Sequence, residues 1–566
     1  MAAHALMLAY SAAANSATFD EPAHLAAGVE YLRRHDLSIY SLSPPLLRIW
    51  AAIPAVLAHA EAPPTQSEDG RPIVERHWLY ADAFITANFS RFPFLLLLSR
   101  LGMIPISCFA GWVTYRWAGE LYGRRSAVAA CAMYCLNPSI LASGSLVTTD
   151  LGTAAAILVA CWLWWRFCRG PSWRRWAVAC VAVVVAHLCK FTAVLLWPML
   201  LAMAIPFVIL RPRRHWWKLP AAWVVLGIGT LVVLNGLYGF RGTGRAIGSY
   251  SFDSDFMQGI QHKLPGAFPS PVPTLILEGF DAQKRDTQDC YPAFLFGDIY
   301  KGTRWYYYPA ALLCKMPLAM LLLLAAAVAS ALARSGVAAP ARHGGEWSVF
   351  LAIAFFAAGV MVFGDLNIGT RYLLPMFPLV FILISRLWSI EPVPLKKRPR
   401  AIMPYLRDAL LAVLAVETLL VCPRFLTFFN FAVGGPANGW RLLSDSDFDW
   451  GQGLIDLRRW MNDHQVQSVA LAYFGYVDPA AYGIQFSPIN HPGKNKYVAV
   501  SSYFLDGMQN RVVTSRNERA VIGLPYGRQL QAKQPVAVAG HTIFIYSADE
   551  MEGAALQWRA GGAPGP

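Results

Sequence analysis

Apolar residues fill most of this chain in long unbroken stretches, not in the two-residue or 3.6-residue alternation of an element with one face in water. A bilayer-crossing helix needs about 20 mainly apolar residues. Ten stretches approach that length, at 92–115, 126–142, 151–168, 176–189, 193–210, 219–239, 306–333, 347–364, 372–389 and 405–422. Residues 1–14 are apolar but shorter; a short first helix and a start trimmed by mis-assignment both account for them. The pattern therefore predicts a polytopic α-helical membrane protein with about eleven spans. Three segments interrupt it. Residues 15–90 mix charges with Ser43-Pro44-Pro45 and Ala62-Pro63-Pro64 and read as a loop with one or two helices lying on the membrane. Residues 240–305 form a second loop. From 423 onward, short alternating runs at 466–473, 497–503 and 536–546 read as strands, and 452–463 as a helix between them. The division expected is a membrane domain over 1–422 and a small α/β domain over 423–566.

Composition narrows the class. Hydrophobic residues make up 56% and charged residues 14% of the 566 positions, against about 25% charged in an ordinary soluble protein. The net charge of +14 would suit a nucleic-acid binder, but the basic residues gather in short loops: Arg116, Arg124 and Arg125; Arg166, Arg169, Arg174 and Arg175; Arg211, Arg213, Arg214 and Lys218; Lys396, Lys397, Arg398 and Arg400; and, more sparsely, Arg334 and Arg342. Cytoplasmic loops of membrane proteins collect Lys and Arg, so the charge is a topology signal and no nucleic-acid partner is expected. It places 15–90, 240–305 and 423–566 together on the extracytoplasmic side of an inner or plasma membrane. Nine of the ten cysteines fall in or beside apolar stretches, with Cys290 alone in a long hydrophilic loop, so no disulfide framework or zinc spacing is implied. Trp162, Trp164, Trp165, Trp216 and Trp217 are read as an interfacial anchoring belt.

On that map several charges converge at one face. Asp20 and Glu21 follow the first helix, Asp150 opens a span after Thr148-Thr149, Lys190 ends one, Arg371 opens another, and Lys315 lies about two turns into a third. Each has an ordinary explanation. Lys190 and Arg371 could snorkel to headgroups, Asp150 could cap its helix, and Asp20-Glu21-Pro22 is a common helix start. Together, at about 2.5–3.5 kcal/mol per charge near hydrocarbon, they argue for a lined cavity. Asp445, Asp447 and Asp449 match positions 1, 3 and 5 of a calcium loop, but Trp450 stands where such a loop needs glycine, which favours a turn capping the next helix.

The chain resembles glycosyltransferase family 39, the protein O-mannosyltransferase-like and lipid A aminoarabinose transferase-like membrane enzymes of the GT-C type. The resemblance rests on Thr18-Phe19-Asp20-Glu21-Pro22-Ala23-His24, Gly28-Val29-Glu30-Tyr31, Ser43-Pro44-Pro45-Leu46, Leu121-Tyr122-Gly123, Asn137-Pro138 with Thr148-Thr149-Asp150, Lys190-Phe191-Thr192, Tyr308-Pro309 with Lys315-Met316-Pro317, and Gly369-Thr370-Arg371-Tyr372-Leu373-Leu374-Pro375. The tail segment from Asp445 to Gln452 is similar to one in bacterial members and differs from the β-trefoil insertion of the eukaryotic enzymes. The resemblance implies a polyprenyl phosphate sugar donor, a catalytic carboxylate on the first loop, inversion at the anomeric carbon, and an envelope glycan, lipid or protein hydroxyl as acceptor. Asp20 is the candidate base with Glu21 its competitor. Asp150 orients a hydroxyl or His24, and Lys190, Lys315 and Arg371, with Tyr372 beside them, meet the leaving phosphate. No cofactor is implied, although Asp20-Glu21 could recruit a divalent cation. A transporter or flippase of lipid-linked sugars is the alternative, and it predicts charges near the membrane midplane. An inactive scaffold that binds the lipid-linked sugar for a partner enzyme is a third.

Overall fold

The computed structural model describes residues 1–64, 73–209, 217–288, 291–332, 340–364, 366–389, 402–515 and 518–560. Cys290, Trp216 and the basic residues Arg211, Arg213, Arg214, Arg334, Lys396, Lys397, Arg398 and Arg400 lie outside them. The first half of the chain is helical: α1 (Ala2–Ala14), α2 (Glu21–Arg34), α3 (Leu46–Leu57), α4 (Ile73–Ala87), α5 (Phe92–Tyr122), α6 (Arg124–Cys135), α7 (Pro138–Ser143), α8 (Asp150–Arg169), α9 (Trp173–His187), α10 (Leu196–Ile209) and α11 (Lys218–Leu237).

Among the described residues, six helical stretches are long and apolar enough to cross a membrane: Phe89–Tyr122, Asp150–Arg169, Phe191–Ile209, Lys218–Leu237, Gly344–Val362 and Thr370–Trp388. Tyr307–Lys315 and Leu318–Leu332 make a seventh only as a pair, bent by 115°. The expected eleven spans are thus met in part, for identifiable reasons. The stretch 126–142 divides into α6 and α7 at Asn137-Pro138, where Asn137 caps the new helix by accepting from the Ile140 N–H at 3.1 Å. The stretch 306–333 breaks at Met316-Pro317 because proline has no N–H for the helical ladder. Helix α9 holds 15 residues, short of a full crossing, and Ile402–Val421 carries Arg407, Asp408 and Glu417. The tryptophan belt needs correction as well. Trp164 and Trp165 are 0% and 1% exposed in the helical core, and Trp164 donates its indole N–H to the Leu200 carbonyl at 2.7 Å.

The first loop holds three helices, one more than expected at most. Helices α2 and α3 pack so closely that a Cβ on Gly28 would lie 2.2 Å from the Arg48 carbonyl oxygen, so only glycine fits that position. The segment after α11 contributes helices Asp255–Lys263 and Thr274–Gln288 and a small hairpin, β1 (Ala293–Leu295) and β2 (Asp298–Tyr300).

Beyond 423 the chain forms helix Leu454–Asp463 and the strands β3 (Ser468–Ala472), β4 (Gln485–Pro488), β5 (Tyr497–Ser501), β6 (Gln509–Ser515), β7 (Glu518–Gly523), β8 (Ala537–Ala539) and β9 (Ile543–Ser547). Five of them make one sheet in the order β4-β3-β5-β9-β8, with β3 parallel to β4 and β5, and β9 antiparallel to β5 and β8. The run 536–546, expected as one strand, is two. Strands β6 and β7 form a separate antiparallel hairpin. This segment docks directly beside the start of α2. The Ser16 and Phe19 N–H groups donate to the Gln452 and Trp450 carbonyls at 3.1 and 2.9 Å, and the Ala17 N–H donates to the Tyr482 hydroxyl oxygen at 2.8 Å. Tyr476 and Val477 join the apolar core of the first loop.

Candidate functional site

A cavity of about 620 Å³ opens where the first loop, the ends of the apolar helices, the Thr274–Gln288 helix and the C-terminal segment meet. Asp20, His24, Asp150, Lys190, Arg371 and Tyr372 all line it. Asp20 precedes α2 but makes no capping bond to it, and Asp150 opens α8 behind the N-cap Thr149. Both carboxylates turn instead to cations. Arg371 Nη1 donates to Asp20 Oδ2 at 2.9 Å and lies 3.8 Å from Asp150 Oδ2, and Lys190 Nζ donates to Asp150 Oδ1 at 2.7 Å. Neither cation snorkels. The Tyr372 ring lies under Lys190 Nζ at 4.9 Å, and Trp450 lies 4.3 Å from the guanidinium carbon of Arg371. Buried charges persist where they are paired and hydrogen-bonded, so the two acids and two bases hold one another in place. Arg371 Nε is nonetheless buried with no hydrogen-bond partner among the described residues, so the guanidinium retains an unused donor there.

His24 stacks on Tyr40, ring centroids 4.9 Å apart, and burial drives its pKa down to about 4, leaving the imidazole neutral. Its Nδ1 also has no hydrogen-bond partner among the described residues. Around these groups stands an aromatic wall. Tyr40, His77, Trp78 and Tyr476 follow ring to ring, and Phe474 and Tyr503 stack face to face at 3.8 Å.

Two expected site residues lie elsewhere. Glu21 does not line the cavity: it points the other way along α2 into a fully buried bond set with Arg100, Thr18 and Val147. Successive helical residues project about 100° apart, so Asp20 and Glu21 serve different surroundings. Lys315 is buried and does not line the cavity, donating to the carbonyls of Leu426, at 2.8 Å, and Asp447. It ends the first half of the bent pair instead of lying two turns into a continuous span, and its ammonium ties that bend to the tail segment.

The acidic triplet in the tail does not cap the following helix, whose N-cap is Gly453. Asp447 accepts from the Thr370 N–H and hydroxyl at 2.8 and 2.7 Å and from the Tyr307 hydroxyl at 3.2 Å, and Ser446 donates to the Ile368 carbonyl. The tail turn is thereby clasped to the loop that presents Arg371. Gly369 makes the clasp sterically possible: its φ is +149°, and a Cβ there would lie 2.4 Å from Ser446 Oγ. Gly369→Ala is expected to strain this junction by about 1–3 kcal/mol, lowering the thermal midpoint of the purified protein and moving Arg371; an unchanged midpoint would show that the junction yields freely.

Sequence reasoning missed Arg100, Tyr40, Trp450, Tyr503, Asn510, Arg511 and Arg519. A lone arginine in an apolar run was a readable signal for Arg100. The others come together only through the fold. Among the described residues, no three His, Cys, Asp or Glu side chains are grouped to hold a metal ion.

In comparisons with known proteins, residues 84–238 match the family profile described as dolichyl-phosphate-mannose-protein mannosyltransferase. The search of curated proteins finds no match. Solved structures that align include ArnT from Cupriavidus metallidurans bound to undecaprenyl phosphate, at 12% identity and TM-score 0.41 over 74% of this chain and 69% of that one. The archaeal oligosaccharyltransferase AglB from Archaeoglobus fulgidus, in complex with an inhibitory peptide and a dolichol-phosphate, aligns at 10% identity and TM-score 0.43, covering 95% of this chain and 75% of that one. The arabinofuranosyltransferase AftD from Mycobacteria aligns at 14% identity and TM-score 0.37, covering 88% of this chain and 35% of that one. The family match covers the helices that present Asp150 and Lys190, and over those residues it agrees with the resemblance read from the motifs.

Proposed function

We propose that this protein is an inverting glycosyltransferase that moves a monosaccharide from a polyprenyl phosphate carrier to a hydroxyl of an envelope glycan, lipid or protein on the extracytoplasmic face. The observation that carries the reading is the placement of Arg371 and Lys190 side by side in one cavity, each held by a carboxylate and backed by aromatic rings. A departing lipid phosphate gains negative charge in the transition state, and fixed cations in a water-poor site stabilise that charge more than water does. Arg371 offers a planar fork and Lys190 a point charge. Asp20 and Asp150 hold these cations in place, and His24, neutral and with a free ring nitrogen, supplies a hydrogen bond to a sugar or acceptor hydroxyl. A hexose or mannose-like sugar belongs to this reading, with the family description as its support. The domain division at 422 belongs to this reading too, with the C-terminal part forming the acceptor side of the cavity.

A transporter or flippase of lipid-linked sugars would place charges along the middle of its helices. Here Asp150 opens one helix, Lys190 follows the end of another and Arg371 stands in the first turn of a third, an arrangement that suits chemistry at a membrane face. The deciding experiment incubates the purified protein in nanodiscs with synthetic polyprenyl phosphate sugars and an extract of envelope acceptors, and follows release of polyprenyl phosphate. In parallel, proteoliposomes report translocation of the same lipids. Translocation without release would replace the enzyme by the transporter.

The three segments 15–90, 240–305 and 423–566 each contribute cavity residues: Asp20, Asp286 and Tyr503 among them. They are expected to react together with a membrane-impermeant thiol reagent when single cysteines are introduced there in intact cells. Cysteines at Lys396–Arg400 should stay protected, and labelling there from outside would invert the topology.

A further inference from the structure

Asp445 is a carboxylate in the cavity wall that the sequence did not connect with the reaction. It lines the same cavity as Asp20, Asp150 and Arg371. One of its oxygens accepts from the Ser446 N–H; the other has no hydrogen bond or ion pair among the described residues. Asp20 and Asp150, by contrast, are each engaged by a cation. Two features fix Asp445 in this position. Its backbone sits at φ +57°, a left-handed conformation rarely adopted outside glycine, asparagine and aspartate, and such strained residues concentrate at functional sites. The two residues that follow it are clasped to the loop before Arg371, Ser446 to Ile368 and Asp447 to Thr370, which ties Asp445 to the segment that presents Arg371.

From this geometry we propose that Asp445 is the proton acceptor of the transfer reaction, and that Asp20 serves chiefly to hold Arg371. The assignment rests on the glycosyl-transfer reading above. As the acceptor oxygen bonds to the anomeric carbon, its proton passes to Asp445. The bond from that carbon to the phosphate oxygen breaks, and the electron pair leaves with the lipid phosphate, met by Arg371 and Lys190. A carboxylate already bonded to a guanidinium is a weaker base than one facing the cavity unpaired. The charges and titratable groups that act on Asp445 are Arg371, which favours its ionised form, and Asp20, Asp447 and the Tyr307 and Tyr503 hydroxyls. Burial outweighs Arg371 and pushes its pKa up to about 7, which matches a base to neutral conditions.

The test uses the full chain in nanodiscs, with binding of a synthetic polyprenyl phosphate sugar measured separately from its turnover. Asp445→Asn suits the left-handed backbone as well as aspartate does, so the variant is expected to fold and to bind donor within about twofold of the unmodified protein, while turnover at saturating donor falls about 100- to 10,000-fold. Asp445→Glu should restore part of it. The unmodified protein, which needs no substitution, should gain turnover as pH rises through about 7, because only the deprotonated carboxylate accepts a proton. Asp20→Asn should weaken donor binding more than saturated turnover. Near-normal turnover by Asp445→Asn, with the loss appearing in Asp20→Asn at intact donor binding, overturns the assignment and returns the base to Asp20. Absence of transfer and of donor binding in the unmodified protein overturns the proposed function, and this assignment with it.

Discussion

Replacing Arg371 with methionine is expected to lower transfer from a polyprenyl phosphate sugar by about 100- to 1000-fold, the usual cost of removing one fixed donor from developing negative charge. The effect should appear in both donor affinity and turnover, because the leaving group is anionic in the ground state and more so in the transition state. Methionine keeps much of the side-chain length and leaves the packing on Trp450 and Tyr372 partly in place. Asp20 loses its cation, whereas Asp150 retains Lys190, so the cavity keeps a positive centre. Arg371→Lys should recover only part of the activity: an ammonium can take the place of the Asp20 contact but cannot present the second, unpaired N–H face that Arg371 Nε supplies. The measurement is donor binding and release of polyprenyl phosphate in nanodiscs. Unchanged values in both variants would remove Arg371 from the phosphate site and leave Lys190 as its cation.

What could be read from the sequence divides along a physical line. Membrane residence was legible because every spanning helix must carry its own apolar run, and the charges at helix ends were legible because lipid tolerates so few. Six of the eight candidate site residues do meet in one cavity. Which partner each charge takes was not legible, since it depends on rotation about the helix axis. Glu21 and Asp20 are neighbours in sequence and face different surroundings; Lys315 looked like a cavity cation and is a tie between a helix bend and the tail. The tail itself was the largest blind spot. Its acids matched a short pattern for a cap, and only the fold shows Asp447 clasping Thr370 while Asp445 faces the cavity. The hairpin β6–β7 brings Asn510, Arg511 and Arg519 to the cavity from more than 400 positions beyond Asp82, to whose carboxylate Arg519 donates. No local pattern encodes such a contact.

Glu21 provides the sharpest separation of stability from chemistry. Its carboxylate is 0% exposed and accepts from the Thr18 N–H at 2.8 Å, the Thr18 hydroxyl at 3.0 Å, the Val147 N–H at 2.9 Å and the Arg100 guanidinium, with Nε at 2.8 Å. Arg100 in turn donates to the carbonyls of Ala12, Asn15 and Ser16 at 3.0, 2.6 and 2.8 Å, so one ion pair fastens the end of α1, the start of α2, the loop before α8 and the middle of α5. Glu21→Gln keeps the shape but removes the charge opposite a buried guanidinium. Breaking one side of such a pair costs about 3–5 kcal/mol. The expected result is a markedly lower thermal midpoint and poor recovery from detergent, with whatever protein remains folded still binding donor. Burial alone would raise the Glu21 pKa, but Arg100 and the backbone donors outweigh it and hold it below the ordinary carboxylate value. A depressed folded-state pKa gives stability that is present above the unfolded value and lost as pH falls through the folded one. The contribution of Glu21 is therefore constant through neutral pH and fades only in acid. Replacing both partners, Glu21→Gln with Arg100→Met, should recover part of the midpoint, because no unpaired buried charge is left. A Glu21→Gln protein of normal stability that has lost transfer alone would restore Glu21 to the catalytic machinery and show that the Arg100 pair can be dispensed with.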